Sequence, residues 1–183
     1  MALLLILQAK THSQVDRSYL PLSVSYLFPA GALADTFDMQ GGIGFSLGYQ
    51  YALDRNWRVG AKGTWMWSKL GNPPSGDFSN YSATYYQLLA TITWRTFKHG
   101  WSPYIQCEGG LGFLNLDEMV ANMPIPIAGA SDVQGSLGVS VGLLVPISEV
   151  LDVDVSGRYS YAFIENGYSV LGVHLGVVYQ LAK

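Results

Sequence analysis

The stretch S-V-L-G-V-H-L-G-V-V-Y-Q-L, residues 169–181, decides the fold. Leu171, Val173, Leu175, Val177, Tyr179 and Leu181 fall in one phase, and Gly172, His174, Gly176 and Gln180 in the other. A period of two marks a β-strand whose faces meet different surroundings. Alone, it is compatible with any amphipathic strand. The chain repeats it, however, and the pattern predicts seven further strands at about 18–28, 42–53, 57–68, 83–97, 101–115, 133–147 and 151–164. The cleanest is 42–53, where Ile43, Phe45, Leu47, Tyr49, Tyr51 and Leu53 alternate with Gly42, Gly44, Ser46, Gly48 and Gln50.

Composition says what surrounds these strands. Charged residues make up 13% of the 183, about half the usual globular share, against 49% hydrophobic. A water-facing surface needs more charge. Yet there is no apolar run of 18 or more residues, so a membrane-spanning helix is excluded. A chain too apolar for water and too interrupted for a helix points to a transmembrane barrel. The net charge of −3 gives no reason to expect nucleic acid. Cys107 is the one cysteine, so an internal disulfide and a thiolate metal site are both excluded. No metal-ligand cluster or cofactor motif is found. Residues 1–14 contain a short apolar core from Ala2 to Leu7 and a candidate cleavage point at Ser13 and Gln14, but lack a basic start, and Lys10 lies on the wrong side. They read as a truncated signal peptide or a disordered tail, leaving 15–183 as the single barrel domain.

The connections alternate in length. Those after the first, third and fifth strands are long, whereas Asp54-Arg55-Asn56, Lys98-His99-Gly100 and Ser148-Glu149-Val150 are tight turns. The last connection, at residues 165–168, is short where a long one is expected. Short periplasmic turns and longer outer loops are the rule in transmembrane barrels, and eight strands place both termini in the periplasm. Three features put the apolar phase outside rather than around a ligand, as a lipocalin-like barrel would have it. The polar phase is crowded with Gly, Ser and Thr, which suit a narrow interior. Strands of this length suit a tilted crossing. Aromatics also sort by depth: Tyr51, Trp57, Trp94, Trp101 and Tyr179 lie near the short turns, while Trp65, Trp67, Tyr86, Phe113, Tyr159, Tyr161 and Phe163 lie near the other end. Between these two girdles sits an aliphatic belt.

On this pattern the chain from about Ser18 to Leu181 resembles the small outer-membrane barrels related to the OmpA transmembrane domain and OmpX: all-β, a single eight-stranded antiparallel up-and-down transmembrane β-barrel. The last strand, read as His174, Gly176, Tyr179 and Leu181, resembles the C-terminal signal that the barrel assembly machinery recognises. It departs from it at Leu181, where the family prefers an aromatic, and in the trailing Ala182 and Lys183. The resemblance implies a bacterial outer membrane, lipid and lipopolysaccharide as surroundings, a monomer, and an internal charge network that plugs the lumen.

The polar phase supplies that network with Arg58, Lys62, Arg95, Glu108, Asp152, Asp154 and Arg158. Charges inside a membrane barrel are costly unless paired, hydrated or functional. A narrow channel or a conduit for small hydrophobic molecules, as in OmpW-like barrels, is one alternative. A lipid A-modifying enzyme is another, but the histidines oppose it: His12 is in the tail, His99 in a short turn, and His174 faces inward near mid-strand, none beside a Ser and a carboxylate at the outer rim. No catalytic residue is assigned. Asp35, Asp38, Asp77, Asp117 and Glu118 are read as solvated loop charges. The apolar loop Met119 to Ile127 is either a cap over the barrel mouth or a contact surface for lipid, a partner or a small hydrophobic molecule.

Because Gly176 and Tyr179 match the recognition positions, Tyr179→Ala is predicted to slow or prevent membrane insertion in cells while refolding into detergent suffers less. Normal insertion in cells would leave only an ordinary strand.

Overall fold

The computed structural model describes residues 17–31, 34–35, 38–71, 82–96, 100–116, 133–163 and 168–181. It contains eight strands: β1 (Ser18–Ala30), β2 (Gly42–Ala52), β3 (Trp57–Lys69), β4 (Ser82–Arg95), β5 (Ser102–Leu116), β6 (Val133–Pro146), β7 (Leu151–Ala162) and β8 (Tyr168–Leu181). Each pairs antiparallel with the next, and β1 pairs with β8 to close a barrel. All eight expected strands are found, with ends that shift by a few residues. Leu53, Trp101 and Ile147 fall outside strands, because the turns begin or end there. Residues 1–14, 72–81 (with Asp77), His99, Asp117, Glu118, the apolar loop 119–127 and residues 165–167 lie outside the described residues.

The short turns are built from local hydrogen bonds. Asp54 Oδ1 accepts from the backbone N–H of Asn56 at 2.6 Å and of Trp57 at 2.8 Å, an Asx turn joining β2 to β3. The Ile147 and Ser148 N–H groups donate to Leu151 O between β6 and β7. At 11 to 15 residues, the strands match or exceed the roughly 9–11 that a tilted membrane crossing needs.

The outward phase is apolar from top to bottom. Val24, Leu47, Leu88, Val141, Val173 and Leu175 are all exposed, and Trp57, Trp94, Trp101 and Tyr179 are exposed near the short turns. Towards the long loops lie Tyr26, Phe28, Tyr86, Phe113, Tyr159 and Tyr161, with Trp65 and Trp67 half-buried among them. Tyr26 packs edge-on to Phe28, and Tyr161 to Phe163.

The inward phase differs from the expectation of small and polar residues throughout. The long-loop end is apolar, and at the short-turn end apolar side chains are interleaved with Arg58, Arg95 and Asp152. Leu27, Met66, Leu70, Ala83, Tyr85, Leu114, Tyr168 and Val170 form a buried cluster at the long-loop end, with Ala34 and Met39 from the first loop folded onto it. Tyr19, Ala52, Tyr104, Leu144 and Val178 form another at the short-turn end. Alternation assigns a face to each residue but says nothing of depth, so the change in chemistry along that face was not visible.

Large rings fit inside because glycines stand opposite them. A Cβ on Gly142 would lie 2.6 Å from both the Tyr104 ring and Ser156 Cβ, and one on Gly112 would collide with the Tyr85 ring. On the β1–β8 seam, a Cβ on Gly176 would sit 2.7 Å from Ser23 Cβ and overlap Leu22 O. That glycine of the terminal motif thus has a packing role of its own.

Gly142→Leu is predicted to abolish most of the folded form in detergent refolding, read as the band whose gel mobility changes on boiling. Gly157→Ala, with no atom near its added methyl, should fold as the wild type does. Equal yields would mean that the rings do not need the space.

Candidate functional site in the barrel interior

Between the two apolar clusters lies a polar layer centred on Glu108. The carboxylate is on β5, with Thr91 as its partner on β4 and Gly138 on β6. It is 4% exposed. Oε1 accepts from Lys62 Nζ, from Gln106 Nε2 at 2.7 Å and from Ser140 Oγ at 3.1 Å. Oε2 accepts from Arg158 Nε at 2.9 Å, and Arg158 Nη2 lies 2.7 Å away. One carboxylate therefore serves two cations. Pairing of this kind is what allows charges to remain in a dry interior.

Amides and hydroxyls extend the layer. Arg158 Nη2 donates to Gln87 Oε1 at 2.8 Å, and Gln87 Nε2 donates to Ser136 Oγ at 2.6 Å. Gln106 Oε1 accepts from Thr93 Oγ1 at 2.9 Å and from Gln50 Nε2 at 3.0 Å. The chain of contacts crosses from β2 through β3, β4, β5 and β6 to β7. Ser23 and Ser46 join β1 to β2 separately, at 2.6 Å.

The remaining expected charges take other places. Arg58, on β3, lies with its guanidinium carbon 3.5 Å from the centre of the Tyr19 ring, and Arg95 approaches the same ring at 5.8 Å. A ring face attracts cations through its quadrupole. Asp154 accepts from Tyr104 OH, at 2.9 Å to Oδ1 and 3.1 Å to Oδ2. Asp152 is half-buried near the short turn. So the structure gathers Lys62, Glu108 and Arg158, and groups Arg58 and Arg95 around Tyr19. Sequence reasoning missed the neutral partners Gln50, Gln87, Gln106, Tyr19 and Tyr104. Their inward phase was legible, but their reach across the lumen was not.

His174 is 5% exposed, inward, with Ser25 and Ser156 as strand partners. Tyr179 faces outward, 46% exposed, between Leu20 and Leu151. Leu181 pairs with Ser18 at the foot of the seam. Among the described residues, no group of three or more His, Cys, Asp or Glu side chains is arranged to hold a metal ion. Cys107 is exposed on the outer wall.

A closed barrel with an apolar wall and ion pairs in its interior meets the requirements for spanning a bilayer with strands, since closure lets the backbone pair within the sheet rather than with water. The chain belongs to the family of the outer membrane protein beta-barrel domain, whose model matches residues 1–180. It is an outer-membrane barrel.

Similar solved structures support the same fold. Neisserial surface protein A matches with a TM-score of 0.65 at 16% identity, covering 90% of this chain and 97% of that one. OprG from Pseudomonas aeruginosa gives 0.60 at 9% identity, covering 92% and 97%. Ail of Yersinia pestis, in complex with the heparin analogue sucrose octasulfate, gives 0.56 at 17%, covering 91% and 99%. No curated protein matches the sequence.

Glu108→Ala strands two cations in the interior and is predicted to destabilise the barrel by about 3–5 kcal/mol, against roughly 0.5 kcal/mol or less for Glu149→Ala in an exposed turn. Urea unfolding in detergent or liposomes measures both. Similar midpoints for the two variants would show a hydrated interior in which the ion pairs carry little weight.

Proposed function

We propose that this protein is a non-enzymatic integral envelope protein: a monomeric barrel with a side-chain-plugged lumen, both termini and the short turns in the periplasm, and the long loops at the cell surface. Outer-membrane lipid and lipopolysaccharide surround it, and the barrel assembly machinery inserts it. One observation carries the reading. Among the described residues the lumen is filled by side chains, apolar at the long-loop end, ion-paired in the middle and mixed at the short-turn end, and a cavity beside the ion pairs measures about 50 Å³. That is room for a few waters, not for a continuous path.

The signalling or binding work of such a barrel falls to its loops, because the wall faces lipid and the interior is filled. The names of Neisserial surface protein A and of the attachment invasion locus protein Ail state a surface role for those two proteins. Against a lipid A-modifying activity stands the position of His174, buried at mid-barrel and away from where an acyl chain would lie. A channel is the reading most directly opposed to a plug.

Two measurements test the proposal. Wild-type protein in planar bilayers should show almost no conductance, and a peptide tag placed within 72–81 should be reached by antibody on intact cells while one in the turn 147–150 should not. Steady conductance would replace the plug with a pore, and the opposite labelling pattern would invert the orientation.

A further inference from the structure

The 50 Å³ cavity lies between the Glu108 layer and the short-turn cluster, bounded by Lys62 and Arg158 on one side and by Arg58, Tyr104 and Leu144 on the other. Arg58 is 2% exposed, yet its Nε and Nη2 have no hydrogen-bond partner among the described residues. These two nitrogens form one edge of the guanidinium, a fork whose parallel N–H bonds suit an anion. Thr91 Oγ1, also buried, lines the same cavity and is likewise without a partner.

Charge gives the second, independent indication. Among the described residues, four cations face inward, Arg58, Lys62, Arg95 and Arg158, against three carboxylates, Glu108, Asp152 and Asp154. Glu108 is shared by Lys62 and Arg158, Asp154 is held by the Tyr104 hydroxyl, and Asp152 is the one carboxylate whose charge acts on both Arg58 and Arg95. Water would satisfy the open donors but would not balance the excess positive charge in a compartment enclosed by lipid.

We infer that the cavity is a binding site for one small monovalent anion of halide size, held by the Nε–Nη2 edge of Arg58 and by the Thr91 hydroxyl. Asp154, which lines the cavity, and Glu108 beside it disfavour a dianion such as sulfate or phosphate. The anion completes the polar layer as a buried counterion. The inference rests on the closed lumen proposed above, since an open pore would exchange its ions freely.

The test uses the whole barrel in detergent, with bromide as the probe. Crystals grown in sodium bromide should show an anomalous peak within hydrogen-bonding distance of Arg58 Nε and Nη2. In solution, bromide should raise the melting temperature saturably over gluconate at equal ionic strength, because a ligand that binds only the folded state stabilises it. Arg58→Gln should remove the effect, and Thr91→Val, which keeps the fold's shape if Arg58→Gln does not refold, should weaken apparent bromide affinity about tenfold, the worth of one hydrogen bond. No anomalous peak and identical melting in the two salts would overturn the site. Conductance of the same preparation separates the two failures: a silent barrel without the peak keeps the plug and removes the anion, whereas a conducting barrel removes the plug and, with it, the buried counterion.

Discussion

A strand in hydrocarbon has no water to satisfy its backbone, and the rest of this molecule depends on that constraint. Each unpaired N–H or C=O would cost several kcal/mol, so the sheet must have no edge. The ladder from Ser18↔Leu181 to Ala30↔Ser169 removes it by joining the first strand to the last. Once the sheet closes, the period-two alternation becomes a partition between lipid and lumen, and every side chain has its environment fixed by parity. Gly176 is placed where it lets these two strands approach, which ties a sequence motif to the closure itself.

Closure creates a second difficulty. Eight strands enclose a space that side chains must fill, and the inward phase fills it by layers. Rings and aliphatics occupy the ends, where Tyr85 meets Tyr168 edge-on at 5.4 Å and Tyr104 caps Asp154. The middle takes the ion pairs of Glu108 with Lys62 and Arg158, while Arg58 and Arg95 stand around Tyr19 nearer the short turns. Placing the ion pairs in the middle shields them from bulk water, which strengthens each attraction and raises the cost of any group left unmatched. Glu108 is the pivot because five contacts converge on its two oxygens, from three other strands and from its own neighbour Gln106.

Much of this was legible because the barrel reduces structure to parity and turn length. Asp54, Asn56 and Glu149 mark turns, the aromatics from Trp57 to Tyr161 mark depth, and the inward face of Glu108, Arg158 and His174 follows from counting. What parity cannot give is register across non-adjacent strands. Lys62 and Arg158 meet one carboxylate although their strands are far apart around the wall, and Arg58 turns instead to Tyr19. Such contacts depend on side-chain length and on lumen width. The apolar clusters were missed for a related reason: Leu144 and Val178 share a phase with Ser140 and His174, and only height along the barrel distinguishes them.

The seam between β1 and β8 also sets the order in which the chain can assemble. Its partners lie at opposite ends of the sequence, so the contact of greatest chain separation is the one that seals the sheet. Adjacent hairpins can pair as soon as they are made, with little entropy lost in each loop. The closing ladder must wait for β8, the last of these eight strands in chain order, and until then both β1 and the growing edge stay open. High contact order of this kind slows folding and prolongs exposure of unpaired strands. The final step therefore depends on the strand that completes the wall, and the close approach that Gly176 allows between β1 and β8 comes into play only when the whole wall is available to close.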